Sequence, residues 1–256
     1  MKIATWNVNS LKVRLPHLLG WLEAYSPDVM CLQETKLPDE RFPVMVMKEA
    51  GYEAVWSGQN TYNGVAILSR NALSNVSMGI PGFADEQKRV LAATVGTIRI
   101  VCIYVPNGQD PGSDKFSYKL AWLEALTAYV RAELALYPKL VLLGDFNIAP
   151  EDRDVHDPAA LTGQILVSPP ERDAFKKLIQ LGFNDSFRIF TQEPGQYSWW
   201  DYRMNAFRRN MGLRIDHILV SREVKSMASG CMIDRKARAQ QQPSDHAPVM
   251  LYLASD

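Results

Sequence analysis

The plainest feature of the hydrophobic pattern is Leu140-Val141-Leu142-Leu143, four consecutive apolar residues that break off at Gly144, Asp145, Phe146 and Asn147. An unbroken apolar run of this length fits a strand buried on both faces, and such a strand end holds polar side chains with little freedom to move. Asp145 and Asn147, two apart, can then be aimed at one ligand. A strand closed by an Asx-type turn explains the stretch equally well.

The same pattern recurs along the chain. Lys2 to Trp6 reads as a short strand running into Asn7, Asn9 and Ser10, and Val29 to Leu32 as an apolar strand running into Gln33 and Glu34. Between them Leu15, Leu18, Leu19 and Leu22 have the spacing of one helical face. Pro16 fits that helix only in its first turn, and Pro27 closes the region. Strands are predicted at Tyr52 to Trp56, Gly64 to Leu68, Val90 to Val95, Ile98 to Val105, Ile215 to Val220 and Val249 to Leu253. Gly and Asn punctuate several of these, and neighbours this close in sequence pair antiparallel. Lys115 to Leu136 is predicted helical, with Phe116, Leu120, Leu123, Thr127, Val130 and Leu134 on one stripe and Pro138 as its stop. A further helix is expected from about Pro169 to Leu181, opening on Pro169-Pro170 where a first turn accepts proline.

No Gly/Ser linker, composition shift or fixed-period repeat divides the 256 residues, so one domain over 1–256 is expected. Adjacent strands mixed with amphipathic helices favour two packed mixed β-sheets flanked by helices, a four-layer α/β sandwich, over a doubly wound sheet. Lys plus Arg and Asp plus Glu both number 28, so net charge neither demands nor excludes a polyanionic partner. Met1 to Leu19 lacks the apolar run of a signal peptide. Cys31 and Cys102, two of three cysteines, lie inside apolar runs, which argues against a disulfide framework or a thiolate metal site. A cytoplasmic monomer without membrane attachment is expected.

The candidate chemistry gathers at strand ends: Asn7 and Asn9, Glu34, Tyr104, Asp145 and Asn147, Asp216 with His217, and Asp245 with His246. Each alone could be a cap or turn residue. Carboxylates and amides without a Cys/His cluster favour a hard cation such as Mg²⁺ or Mn²⁺. Glu34 is the best single ligand candidate, because Gln33 and Thr35 beside it offer no basic partner.

Six ordered segments carry a resemblance. They are Thr5 to Asn9, Leu32 to Lys36, Tyr104 to Asn107, Gly144 to Pro150, Gly212 to Asp216 and Ser244 to Pro248. They resemble the motifs of exonuclease III-like nucleases, the exonuclease III and AP endonuclease family of the endonuclease/exonuclease/phosphatase superfamily, over nearly the whole chain from Lys2 to about Leu253. The resemblance implies a DNase I-like sandwich and a Mg²⁺-dependent DNA repair phosphodiesterase acting at abasic sites and DNA 3′ ends. It implies that Glu34 binds the metal, with Asn7 and Asp245 nearby. Asp145 would take or orient the proton of the attacking water, and Asn147 would hold that water or the phosphate. His246, oriented by Asp216, would contact the scissile phosphate, while Tyr104 and Asn107 donate to phosphate oxygens. His217 lies outside this set and is expected to be structural.

Phosphoinositide phosphatases and sphingomyelinases share the superfamily, so the substrate has to be read from the periphery. From Trp199 to Ile215 the chain sets Arg203, Arg208, Arg209 and Arg214 against the single acid Asp201, with aromatics interleaved. Arginines neutralise phosphates and aromatics stack on bases, although a solvated loop packed by its aromatics is the simpler alternative. Ser198 to Arg203 resembles the DNA-binding segment of the exonuclease III group. The resemblance further implies that Trp199, Leu213 and Ile215 line an apolar pocket for a sugar lacking its base, and that Arg203 reaches the DNA groove. Lys115 and Lys119 are weaker phosphate-contact candidates on a helix face expected to be exposed. The expected partner is duplex DNA with abasic sites, nicks or blocked 3′ ends. The alternatives are an inositol or lipid phosphatase, disfavoured by the arginine loop, and a catalytically silent DNA-binding relative, disfavoured by the intact set Glu34, Asp145, Asn147, Asp216 and His246. Ser10 stands where many relatives have glycine, and Gly163 to Ser168 match no pattern.

Overall fold

The computed structural model describes residues 1–254. In chain order its strands are β1 (Lys2–Asn7), β2 (Val29–Gln33), β3 (Glu53–Ser57), β4 (Val65–Ser69), β5 (Leu73–Met78), β6 (Val90–Val95), β7 (Ile98–Tyr104), β8 (Leu140–Asp145), β9 (Asn184–Asp185), β10 (Asp216–Val220), β11 (Ala228–Ile233) and β12 (Val249–Leu253). They form two six-stranded mixed sheets, ordered β11-β12-β1-β2-β4-β3 and β5-β6-β7-β8-β10-β9.

The period-2 alternation of a strand explains the layers. One set of side chains, including Ile3, Cys31 and Ile67 from the first sheet and Cys102, Val141, Leu143 and Ile218 from the second, packs between the sheets. The alternate set of the first sheet, with Ala4, Trp6, Met30 and Leu32, packs on Leu18, Trp21 and Leu22 of α1 (Leu11–Tyr25) and on Met47 of α2 (Val44–Glu49). On the second sheet Val101, Ile103, Leu140 and Leu142 pack on Trp122, Leu126 and Val130 of α3 (Asp114–Leu136). A short α4 (Pro158–Leu161) precedes α5 (Pro169–Gln180), which adds Phe175 and Leu178 to that layer. Every residue of β8 is buried. Its apolar side chains, each worth roughly 1.5–3 kcal/mol on full burial, feed two cores at once.

The register gathers the polar strand ends. β1 and β2 are parallel, as are β7 and β8, with Asn7 opposite Gln33 and Tyr104 opposite Asp145, and α1 and α3 make the crossovers. The C-terminal ends of these four strands therefore fall at one edge. β10 runs antiparallel to β8 with Asp216 opposite Asp145, and β12 antiparallel to β1 with Val249 opposite Thr5, so their starts reach the same edge. Gly144 is required there. At φ +146° a Cβ would lie 1.9 Å from the Ile103 carbonyl oxygen and wedge β7 from β8 one residue before Asp145.

Two expectations are corrected. Pro16 lies in the second turn of α1, not the first. Both it and Lys12, whose carbonyl loses its helical partner, are exposed, so water can satisfy the freed group. Lys119 is not on an exposed face of α3: it is fully buried, and with Trp122, Leu126 and Glu133 it belongs to the inward side, while Leu120 and Leu134 are only partly covered.

Candidate active site

Sharp turns follow the strand ends. Asn9 (φ 43°), Ser10 (φ 88°), Glu34 (φ 52°) and Asn147 (φ 48°) all adopt left-handed backbone, a conformation that costs non-glycine residues on the order of 1 kcal/mol or more. Hydrogen bonds hold it in place: the Ser10 N–H donates across the fold to the Glu34 carbonyl at 2.8 Å, and the Asn147 N–H donates locally to Asp145 Oδ1 at 2.9 Å.

Asn7 joins the two sheets. The Asn9 N–H donates to Asn7 Oδ1 at 3.0 Å, which sets the amide so that Nδ2 donates both to Glu34 Oε1 at 2.8 Å and to Asp145 Oδ2 at 2.9 Å. Asp145 is buried, with His246 Nε2 at 3.7 Å from its Oδ2. On the far side of the imidazole, Nδ1 lies 2.9 Å from Asp216 Oδ2, which also accepts from Ser198 Oγ at 2.6 Å. The Asp216 carboxylate can only accept, so Nδ1 carries a proton toward it. Burial alone would lower the His246 pKa, but the charges of Asp216 and then Asp145 outweigh it and raise the value well above the ordinary range. His246 is therefore an imidazolium at neutral pH. Burial raises the Asp145 carboxyl; His246 opposes that and Asp216 adds to it.

Glu34 does have a basic partner, contrary to the sequence expectation. Lys36 Nζ lies 2.9 Å from Glu34 Oε2 and also donates to Asn9 Oδ1 at 2.6 Å. The tight turn after β2 brings a residue two positions on, not an adjacent one, back to the carboxylate. Tyr104 sits beside these acids. Burial raises its phenol pKa, the charges of Glu34 and Asp145 add to this, and the Arg89 guanidinium lies 4.5 Å from its ring centroid. It is a protonated donor.

Among the described residues, ligand atoms of Glu34, Asp145 and His246 lie within 4.8 Å of one another. With His246 protonated, the donors among these three are the two carboxylates, and carboxylates without thiolates suit a hard divalent cation. A raised buried carboxyl beside Glu34 is also what an added positive charge would relieve. Asp245 is held slightly apart, accepting from Asn9 Nδ2 at 2.9 Å and Trp199 Nε1 at 3.0 Å. Asn7 turns its amide nitrogen, not its oxygen, toward the acids.

Behind this edge, Asn147 Nδ2 donates to the Val105 carbonyl at 2.9 Å, and Asn107 Nδ2 approaches Asn147 Oδ1 at 3.4 Å. Lys119 Nζ donates to the Asn147 carbonyl at 2.7 Å and the Asn107 carbonyl at 3.0 Å, and pairs with Glu171. Sequence reasoning missed this contact. The available signal was that Lys119 stands three residues after Phe116 and four before Leu123, inside the apolar stripe.

On the periphery, Trp199 and Leu213 exchange backbone hydrogen bonds at 3.0 Å and border a cleft of about 510 Å³ that also takes in His156, Gln164, Ile165, Arg203 and Met204. Ile215 does not line it, being 1% exposed and packed against Val155 and Leu166. Arg203 is outermost, its side chain 84% exposed and paired with Asp201. Arg214 must be removed from the nucleic-acid loop. It is buried, with Asp154 Oδ1 and Asp185 Oδ2 each at 2.7 Å, which leaves Arg203, Arg208 and Arg209 exposed. Arg214 also donates to His217 Nδ1 at 2.9 Å, and the other ring nitrogen reaches the Ile148 carbonyl at 2.8 Å. Arginine only donates and a carbonyl only accepts, so His217 is the neutral Nε2–H tautomer, in keeping with a pKa lowered to about 4 mainly by burial and then by Arg214.

Residues 4–246 match the Endonuclease/Exonuclease/phosphatase family. The chain is 34% identical over 262 residues to exodeoxyribonuclease III of Haemophilus influenzae, an alignment covering 97% of this chain and 98% of that one. Among the solved structures similar to it, two illustrate matches that cover 100% of both chains. One is the 3′ phosphatase NExo from Neisseria bound to product DNA hairpin, at 47% identity and TM-score 0.98. The other is an AP endonuclease from Archaeoglobus fulgidus, at 36% identity and TM-score 0.96.

Proposed function

Because the chain belongs to the endonuclease/exonuclease/phosphatase family, we propose that it is a metal-dependent DNA repair hydrolase of the exonuclease III type, which cleaves phosphodiesters at abasic sites and phosphoesters at DNA 3′ ends. The observation that carries the reading is the chain of contacts from Glu34 through Asn7 and Asp145 to His246 and Asp216, at the one edge where both sheets present polar strand ends.

In this reading Asp145 takes or orients the proton of the attacking water, a task suited to a buried carboxyl whose pKa is raised toward neutrality. Asn147 holds that water or the phosphate. His246, kept charged by Asp216, donates from Nε2 to a phosphate oxygen, and Tyr104 and Asn107 donate to others as negative charge grows there. A Mg²⁺ ion held by Glu34, with Asp245 and Asn7 nearby, would act as a Lewis acid on the phosphate and its leaving oxygen. For Asn7 to be a ligand its amide oxygen must leave the Asn9 N–H. Duplex DNA with abasic sites, nicks or blocked 3′ ends is the substrate. The exposed Arg203, Arg208 and Arg209 meet its backbone, and Trp199 and Leu213 border the cleft that receives a sugar. All of these groups come from one chain, so a monomer suffices.

The deciding experiment offers the purified protein duplexes carrying an abasic site, a nick, a recessed 3′ end or a 3′-phosphate, with Mg²⁺ and then with chelator, beside a phosphoinositide control. DNA turnover abolished by chelation is expected. No metal-dependent turnover of any DNA refutes the reading, and turnover of the lipid alone installs a headgroup phosphatase in its place.

A further inference from the structure

We propose that Lys119 is a positioning residue for the substrate-facing asparagines: its ammonium, sealed behind the site, fixes the backbone carbonyls of Asn107 and Asn147 and so aims both amide side chains. This rests on the phosphodiesterase reading above, in which those amides meet phosphate or water.

An ammonium has three N–H bonds, and each has one acceptor here: the Asn147 carbonyl at 2.7 Å, the Asn107 carbonyl at 3.0 Å and the Glu171 carboxylate. None is left for a ligand, and the side chain is 0% exposed, so Lys119 cannot itself touch DNA. The carbonyls it holds belong to residues outside regular strands. Asn147 follows the end of β8 in left-handed backbone, and Asn107 follows Val105, whose N–H still pairs with the Asp145 carbonyl at 2.9 Å. Beyond that point the Asn107 loop rests on the lysine stem. A Cβ at Gly108 (φ +89°) would lie 2.9 Å from Lys119 Cδ.

Glu171 anchors the lysine in turn. Its carboxylate accepts from the Leu166 N–H and the Ser168 N–H, each at 3.1 Å, and from Ser168 Oγ at 2.6 Å, closing the capping box of α5. One buried cation thus links three loops, those of Asn107, Asn147 and Leu166, to the ends of two helices. A simple buried ion pair would need only Glu171. The convergence of two backbone carbonyls from the substrate-facing loops on the same nitrogen is what assigns the positioning role. Nonpolar replacement would leave both carbonyls free to drift, and a misplacement of about 1 Å at such distance costs about 100-fold in rate.

The test compares the parent with Lys119→Met/Glu171→Gln, which removes both charges and keeps an acceptor for the α5 cap. Three quantities are measured: melting temperature, kcat and KM on a 3′-phosphate duplex with Mg²⁺, and the side-chain amide NMR signals of Asn107 and Asn147. We expect a folded double variant with kcat lowered about 100-fold, KM within about threefold and both amide signals displaced. Parental kcat per folded molecule together with unmoved amide signals overturns the proposal. Should the double variant unfold, Lys119→Arg takes its place. It keeps the charge beside Glu171 but cannot donate to both carbonyls from the same point, so kcat falls and the amide signals move, and parental values for both again overturn the proposal. A parent inactive on every DNA would refute the functional reading alone, since the amide signals still report whether Lys119 sets the two loops.

Discussion

His217 gives a prediction whose size follows from its contacts. Burial disfavours a charged imidazole here, and protonating Nδ1 would also drive an N–H against the donating Arg214 guanidinium, so its folded-state pKa falls from 6.5 to about 4. The unfolded chain binds this proton as pH drops through 6.5 and the folded protein does not. The stabilisation is therefore complete above 6.5 and is lost as pH falls toward 4; at about 1.4 kcal/mol per pH unit, the gap is worth roughly 3 kcal/mol. Asp145 has the opposite sign, because its raised folded pKa adds stability as pH falls, and it partly masks the loss in the parent. The raised His246 is protonated in both states below 6.5 and is silent in this window. Asp154 and Asp185, both lowered, act only below their ordinary 3.8. The difference between parent and His217→Gln therefore isolates the effect. The introduced carboxamide can accept from Arg214 and donate to the Ile148 carbonyl without titrating. Urea unfolding at intervals from pH 7.5 to 4.5 should show the variant less stable at the top of the range, with the gap closing by roughly 2–3 kcal/mol toward the bottom. Curves that stay parallel throughout would refute the tautomer assignment.

Three further outcomes are expected. Asp145→Asn should bind duplex DNA with parental affinity in a gel-shift assay while kcat falls about 10²–10⁴-fold, and retention of the parental rate removes Asp145 from proton handling. Asp216→Asn should cost at least about 100-fold and bring the loss of activity on the alkaline side to lower pH than in the parent, because His246 loses the strongest of the charges that keep it protonated; an unchanged pH–rate profile would contradict this. Arg203→Ala should weaken binding of all duplexes alike and reduce the salt slope of affinity by about 1, leaving kcat at saturation unchanged, and sequence-selective weakening would show a different role.

How legible this molecule was depends on where each element sits. Central strands such as β8, β2 and β12 announce themselves by apolar runs, since both faces are covered. β5, β9 and β11 were not read, and all three are sheet edges. The residues of β5 are largely exposed, β9 has only two, and β11 carries Ser229 and Gly230, so the pairing that makes them strands leaves no period in the sequence. At the site, the carboxylates, amides and imidazole that gather at the edge were visible as polar strand ends, whereas Ser198 and Lys36, which hold Asp216 and Glu34, were not. What the sequence did not disclose is which long-range partner each would find. Arg214 looked like one more phosphate contact until Asp154 and Asp185, 60 and 29 residues away, enclosed it. Lys119 looked solvated until Glu171 did the same, and Glu34 looked unpaired because local backbone curvature decides whether Lys36 can reach it.

The Asn7 amide spans a seam: Glu34 belongs to one sheet and Asp145 to the other, so their separation is set by how far apart the two sheets stand. That thickness, about 10 Å in packed sheets, is fixed by the small and medium side chains of the layer between them, among them Cys31, Val65, Ala93 and Cys102. The interior filling is thus a gauge block for the chemistry at its rim. A methylene added at Ala93 changes the gap in which a phosphate and a cation must fit together, and substitutions deep in the protein become adjustments of the catalytic edge without touching a single polar residue.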